Sequence, residues 1–470
     1  MEDIFVGIQV GPQAVYDEGI DNALDLMQQT AGINTLIVYT HTYYGASDRP
    51  AENLAPDHGI QVRDERKRNL PGVWIKHNEK RFGGTFLRHK RNPNVEEYAD
   101  RDILEDLYEP AKKRGMKLYA RILEPHQRRT MRFIDNWSKV LAVDVYGRIH
   151  ESTCFNNPAY KNFWISTIED ELKTYPFIDG MQYGSERCGP LSRLLFWDDV
   201  PACFCDYCAQ RARNHGIDPE RARKGYRVLY EFVKGLKEGT VSPVDGAFVT
   251  FVRILMKYPE ILAWDQQAHE SKEDLAKLLY GTAKVIRPDM PFGIHVDHQE
   301  STWDIFQVAE IDYADMTNYC DFVKPIVYHD IAAPRVRRWY LEKMHNSILK
   351  EVPLETLLDA FYSIMGYNKD TEPKLEEMDN KGFSEEYVYR LTKRIVDGVG
   401  GKVPIYPGIG FDVPWKNKHL PADENTVYKC VHRALDAGAS GICVSREYSE
   451  MRVKNLKAVG RALRDRGYKV

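Results

Sequence analysis

The sequence predicts a (β/α)8 TIM barrel with long βα-loop insertions, and three observations predict it. Short β-rich runs recur eight times along the 470 residues, longer helical patterns lie between them, and polar residues gather just past the ends of the runs. The last point matters because a closed parallel barrel builds its site where the strands end and the βα loops begin.

In chain order the predicted strands are Phe5 to Val10, Thr35 to Thr40, Lys117 to Leu123, Gly180 to Gly184, Phe292 to Val296, Phe322 to Tyr328, Ile405 to Ile409 and Gly441 to Val444. Asp102 opens a helical pattern that ends at Gly115, where a left-handed cap is wanted, and Ala437-Gly438-Ala439 repeats that ending before the eighth strand. A last helix, Met451 to Arg466, finishes the eighth unit. Three stretches exceed what βα loops require, Gly45 to Asp100, Trp197 to roughly Leu275 and Lys350 to Gly400. The first interleaves Arg, Lys and Asn with Trp74, Phe82 and Phe86, a composition that suits either a sugar-binding rim or a solvated excursion. With no linker or repeat dividing the chain, residues 1–470 read as one domain carrying three insertions.

Composition narrows the function classes. Forty-three per cent hydrophobic, 29% charged and 11% aromatic residues describe a globular chain, and 65 basic against 69 acidic residues give a net charge of −4. No basic stripe offers itself to a nucleic-acid backbone, and no apolar run approaches a membrane span. Met1-Glu2-Asp3-Ile4 lacks a basic region followed by an apolar one, so a cytoplasmic location is expected, although a chain stripped of a signal peptide would read the same. Homo-oligomerisation is left open.

Polar residues at the strand ends are Gln9, His41, Arg121 with Glu124, Ser185-Glu186-Arg187, His295 with Asp297 and His298, Tyr328-His329-Asp330, Asp412, and Arg446-Glu447. Any one could cap the next helix, but a barrel built for stability alone needs no such collection. Glu186 follows a strand whose glycines leave room at its end. Hydrolysis of a glycosidic bond needs a second carboxyl group across the pocket, roughly 5–5.5 Å away for retention or about 6.5–9.5 Å for inversion. Asp412, beside Trp415 as a sugar platform, and Glu447 are the candidates, with Asp412 slightly favoured. His41, Arg121, Glu124, Arg187, His295, Asp297, His298, Tyr328, Trp415 and Arg446 are the expected substrate-binding residues.

Eight cysteines in so long a chain do not make a disulfide scaffold, and Cys203-Phe-Cys205-Asp-Tyr-Cys208 has metal-ligand spacing. Four thiolates would close a tetrahedral zinc site with no open position, hence a structural one. Spacing leaves Cys154 or Cys188 as the fourth ligand, and no organic cofactor is indicated.

The segment Cys154-Phe-Asn-Asn-Pro-Ala-Tyr, then Tyr183-Gly-Ser-Glu186, then the three-cysteine cluster resembles family 42 of the glycoside hydrolases, the β-galactosidase family of clan A. The resemblance covers about 55 of 470 residues. It implies a glycoside hydrolase, retaining in stereochemistry and acting on an oligosaccharide or glycoside, with Glu186 as general acid/base and a structural zinc on Cys154, Cys203, Cys205 and Cys208. Ser185 stands where the family has Asn, Asp412 would stand for a Glu, and the chain ends with its barrel where the family adds domains. Two other readings compete: a metal-dependent sugar isomerase or epimerase holding its ion on His295, Asp297, His298 and Glu124, and a carbohydrate-binding barrel without catalysis.

Overall fold

Eight strands lie side by side, all parallel: β1 (Phe5–Val10), β2 (Thr35–Tyr39), β3 (Lys117–Leu123), β4 (Gly180–Gly184), β5 (Phe292–Val296), β6 (Phe322–Pro325), β7 (Gly408–Gly410) and β8 (Gly441–Ser445). Their order in the sheet is β6-β5-β4-β3-β2-β1-β8-β7. Parallel bridges Val323↔Ile405 and Ile326↔Gly408 join the two ends and close the barrel. The computed structural model describes residues 4–43, 56–58, 72–90, 98–125, 128–415, 418–419 and 422–470. Among them no helix is long and apolar enough to cross a membrane.

Between the strands run α1 (Ile20–Ala31), α2 (Ile103–Lys113), α3 (Pro158–Thr174), α4 (Glu260–Ile286), α5 (Ile305–Glu310), α6 (Glu385–Val399) and α7 (Glu424–Asp436), and α8 (Val453–Asp465) follows the last strand. Local chemistry sets their limits. Asp102 accepts from the backbone N–H groups of Leu104 and Glu105 to start α2, and Gly32 takes a left-handed φ of 69° to end α1.

Four strands differ from their sequence limits: β2 ends one residue early at Tyr39 and β8 one residue late at Ser445, while β6 stops at Pro325 and β7 runs Gly408–Gly410 rather than from Ile405, because Pro325 and Pro407 have no N–H to give the ladder. The stretches from Trp197 and from Lys350 are largely helical: Asp206–Asn214, Pro219–Glu238, Ala247–Lys257 and the start of α4 fill the first, and Leu354–Met365 with α6 the second. Apolar residues at helical spacing account for this, since Pro219–Glu238 buries Tyr226, Leu229, Phe232 and Val233 on one face. Of the Gly45 to Asp100 stretch, the described part returns to the carboxyl end of β2, where His41 pairs antiparallel with Val73. Trp74 and Phe82 are buried and Phe86 is exposed.

Strand alternation divides the barrel interior into layers. Ile37, Tyr119, Phe322 and Cys443 form an apolar cluster with Phe5 and Tyr406 packed on it, the last two rings stacked 3.8 Å apart. Two residues further along these strands the inward positions become Tyr39, Arg121, Lys324 and Ser445, and Gln9, four beyond Phe5, joins them with Gln182 of β4 and His295 of β5. This second set faces the carboxyl end, where the loops are.

Glycine makes the apolar layer fit. A Cβ at Gly293 would lie 2.1 Å from Phe322 Cε2 and Cζ. Gly293→Ala should therefore force the Phe322 ring aside and cost about 1–3 kcal/mol, read as a lower denaturant midpoint at unchanged slope. An unchanged midpoint would show that the ring can move freely.

Candidate active site

The polar layer is buried and cross-linked. Arg121 donates to the Gln182 side-chain oxygen and lies 4.8 Å over the Tyr39 ring. Gln9 Nε2 donates to the Tyr39 hydroxyl at 3.2 Å and its oxygen accepts from Ser445. Lys324 Nζ donates to the Tyr328 hydroxyl at 3.4 Å. Burial pushes the Lys324 ammonium down to about 7, against the pull of Glu186 and Asp297. The Nε and Nη2 atoms of Arg121 are buried with no protein partner among the described residues, so the layer holds donors left for a polar guest.

Glu186 lies above this layer, its side chain 32% exposed, with Oε1 3.2 Å from His295 Nε2. Burial, then the positive charges of Lys324 and Arg121, hold His295 well below the usual imidazole range, so at neutral pH this contact is a hydrogen bond from a neutral ring. Asp297, two residues beyond His295, accepts from the His298 backbone N–H at 2.6 Å and from Gln299 Nε2 at 2.7 Å. Its carboxyl rises to about 6, first through burial and then through the charge of Glu186. Burial, then the positive charge of Arg446, lowers the Arg335 guanidinium, and burial raises the Tyr39 hydroxyl to about 12 against the pull of Arg121.

The remaining sequence-predicted residues divide. Glu447 follows β8 and accepts from the Gly11 backbone N–H, and Arg446 Nε lies 3.0 Å from both Glu450 oxygens. Asp412, the slightly favoured second carboxylate, is fully buried. Its Oδ2 accepts from Arg452 N at 2.9 Å and Asn455 Nδ2 at 2.8 Å, at the start of α8. Glu124 and Arg187 form a buried pair, 3.6 Å apart, in which Ser185 donates to Glu124 at 2.8 Å and Arg187 Nη1 donates to the Thr153 carbonyl at 3.1 Å. His298 lies 3.2 Å from the Tyr387 hydroxyl and 3.0 Å from Arg335 Nη1. His41 joins His77, at 2.9 Å, rather than the mouth. The side chain of Trp415 falls outside the described residues.

Sequence reasoning missed Lys324, Gln182 and Arg335. A signal existed for the first, a lone charge within the apolar run Phe322-Val-Lys-Pro-Ile-Val. Arg335 lies in the helix His329–Arg335, away from any strand end, and nothing local marks it.

The four cysteines of the sequence reading do converge. One sulfur each from Cys154, Cys203, Cys205 and Cys208 lies within 4.8 Å of the others, and Cys188 lies outside the set. Cys154 Sγ is 3.4 Å from Cys205 Sγ and 3.6 Å from Cys208 Sγ. Val143 N donates to Cys203 Sγ and Asn156 Nδ2 to Cys208 Sγ, each at 3.4 Å, the N–H donors that thiolates call for. Hydrogen bonds from its neighbours, Cys154 first, hold the Cys205 thiol below its ordinary range, while the thiols of Cys154 and Cys208 are pushed up. Among the described residues the other set able to share an ion is His41, His77 and His89. Glu124, His295, Asp297 and His298, the ligand set of the isomerase reading, do not gather, because Glu124 is taken up by Ser185 and Arg187.

Known proteins share this architecture. The chain superposes on a polyextremophilic β-galactosidase from the Antarctic haloarchaeon Halorubrum lacusprofundi with a TM-score of 0.55 at 14% identity, over 98% of this chain and 57% of that one. A β-galactosidase from the psychrophilic Marinomonas ef1 gives 0.51 at 10% identity, over 99% and 61%. The fold is theirs. The chain spans about three-fifths of the length of these proteins. No family model and no curated sequence matches it.

Lys324 supplies a test of the polar layer. Its folded pKa of about 7 lies below the ordinary 10.5, so between these values the unfolded chain binds more protons than the folded one. Stability contributed by this group must then rise with pH across that window. The thermal midpoint of Lys324→Met should rise less between pH 7 and pH 9 than that of the wild type. Parallel profiles would show that Lys324 is not held in a desolvated site.

Proposed function

We propose that the chain is a glycoside hydrolase, a divergent relative of family 42, in which Glu186 is the general acid/base and Glu447 the second carboxylate. The observation that carries the reading is geometric: two carboxylates follow strand ends at the same end of the barrel, Glu186 beyond β4 and 3.2 Å from His295, and Glu447 beyond β8 and bonded to the Gly11 N–H beyond β1. The fold shared with proteins named β-galactosidases supports it. In this reading Glu447 attacks the anomeric carbon while Glu186 gives its proton to the departing glycosidic oxygen. Glu186 then takes a proton from the water that releases the sugar, so configuration is retained. His295 orients Glu186, the Gly11 N–H orients Glu447, and Arg121, Arg335 and Arg446 offer donors to sugar hydroxyls. Asp412 is set aside as the second carboxylate, since its Oδ2 accepts from Arg452 N and Asn455 Nδ2 at the start of α8 and its Oδ1 lies 3.4 Å from Arg452 Nε.

Glu186→Gln should slow hydrolysis of oligosaccharides by roughly 10²-fold or more, and least for aryl glycosides with good leaving groups. Glu447→Gln should remove turnover of all substrates alike, whereas Asp412→Asn should chiefly lower the thermal midpoint. Full activity of Glu186→Gln on an unactivated glycoside would sink the assignment. Loss of turnover in Asp412→Asn at an unchanged midpoint, with Glu447→Gln active, would transfer the second role to Asp412.

We further propose a structural zinc on the four cysteines, whose donor set, burial and N–H···S contacts fit that ion. Cys154→Ser should lose one zinc per chain and lower the thermal midpoint more than it changes KM. Equal zinc content in variant and wild type would refute this site.

A further inference from the structure

A second group of soft donors lies apart from the cysteines and outside the proposed mechanism. His41 follows β2, His77 follows the Gly72–Val73 strand that pairs with His41–Thr42, and His89 lies on a short strand, Arg88–His89, paired with Ile134–Asp135. Three separate pieces of chain thus deliver three imidazoles to one place, each with a ring nitrogen within 4.8 Å of the others. His41 and His89 are buried, and the His77 side chain is 4% exposed. The Nε2 atoms of His41 and His77 face one another at 2.9 Å.

We propose that His41, His77 and His89 bind a divalent first-row transition ion, zinc in the first instance. Imidazole nitrogen suits such ions, and partners behind two of the rings hold one nitrogen of each and leave the other for a ligand bond. His77 Nδ1 lies 2.7 Å from Asp170 Oδ2, and Asp170 is itself fixed by Arg81 Nη1 at 2.7 Å and by the Asn78 backbone N–H. This is the carboxylate-histidine pairing that fixes the tautomer of a metal ligand and raises its basicity. His41 Nδ1 is held by Thr40 Oγ1 at 2.9 Å. His89 Nε2 meets the Tyr43 hydroxyl at 3.0 Å, while its Nδ1 is buried with no partner among the described residues. A purely packed stack explains the parallel His77 and His89 rings, 4.0 Å apart, but leaves that nitrogen unsatisfied, which is costly in a buried site. An ion satisfies it once the His77 and His89 rings tilt out of their 8° stack, since an imidazole lone pair lies in the plane of its ring. Three ligands leave one position of a tetrahedral zinc to water, and the ion would pin the 72–90 segment to the carboxyl end of β2. Neither His77 nor His89 enters the hydrolase mechanism, so this inference stands or falls separately from it.

The test uses the full chain, stripped with a chelator, reloaded with Zn²⁺, dialysed and assayed for zinc per chain. His77→Gln should hold one zinc fewer than the wild type, with the cysteine contribution common to both. Asp170→Asn should retain the ion but bind it about 10–100-fold more weakly in competition with a chromophoric chelator. Should His77→Gln fail to fold, zinc-edge X-ray absorption of the wild type decides, with nitrogen neighbours at about 2.0 Å expected. A spectrum of sulfur neighbours alone, a wild type that takes up no zinc, or a folded His77→Gln with wild-type zinc content would overturn the proposal.

Discussion

Closure of the eight-stranded sheet is the constraint on which the rest depends. Once β6 and β7 meet through the bridges at Val323 and Ile326, every second side chain of every strand is committed to an interior with a fixed volume. The amino-end half solves this with four aromatic rings, fitted around glycines. The carboxyl-end half cannot be filled the same way and remain a site. It is lined instead with charged and amide side chains that satisfy one another only in part, so polarity along the barrel axis follows from a short step along the strands.

The position of Glu186 is set from outside the barrel as much as from within. Its neighbours in sequence, Ser185 and Arg187, are both tied to Glu124 at the end of β3. Arg187 also donates to Thr153 and lies 3.6 Å over the Phe155 ring, and these two residues flank Cys154. The cysteine cluster is therefore one residue removed from the clamp on the loop that carries Glu186. A group distant from the mouth can in this way govern its geometry without touching anything bound there.

The barrel was legible in the sequence because parallel strands buried on both sides read as short apolar runs, and all eight were located. Their limits at β6 and β7 were not, since the proline effects act through the ladder of a neighbouring strand. The cysteine cluster was legible because three of its cysteines lie within six residues and the fourth opens a motif. The histidine cluster was not: His41, His77 and His89 are spread over 49 positions, and only the return of the chain to β2 brings them together. Asp412 shows the converse limit. Its place after the seventh strand was read correctly from the sequence, but with φ at 61° its carboxyl engages the start of α8, a choice that strand counting cannot see.

The charges of the mouth argue for a polar guest on energetic grounds. Burying Arg121, Lys324 and Arg335 costs more desolvation than their mutual contacts return, and well-packed apolar residues of similar volume would serve stability at least as well. Asp297 rising to about 6 and Lys324 falling to about 7 show the same cost from both signs of charge. Such an arrangement is unfavourable in the empty protein and becomes favourable when a ligand supplies the missing partners. A ligand with many hydroxyls, each able to donate and accept, matches a wall where Arg121 keeps buried donors in hand beside the acceptors of Glu186 and Asp297. An apolar ligand would leave all of them unpaired and would bear their desolvation with nothing in return.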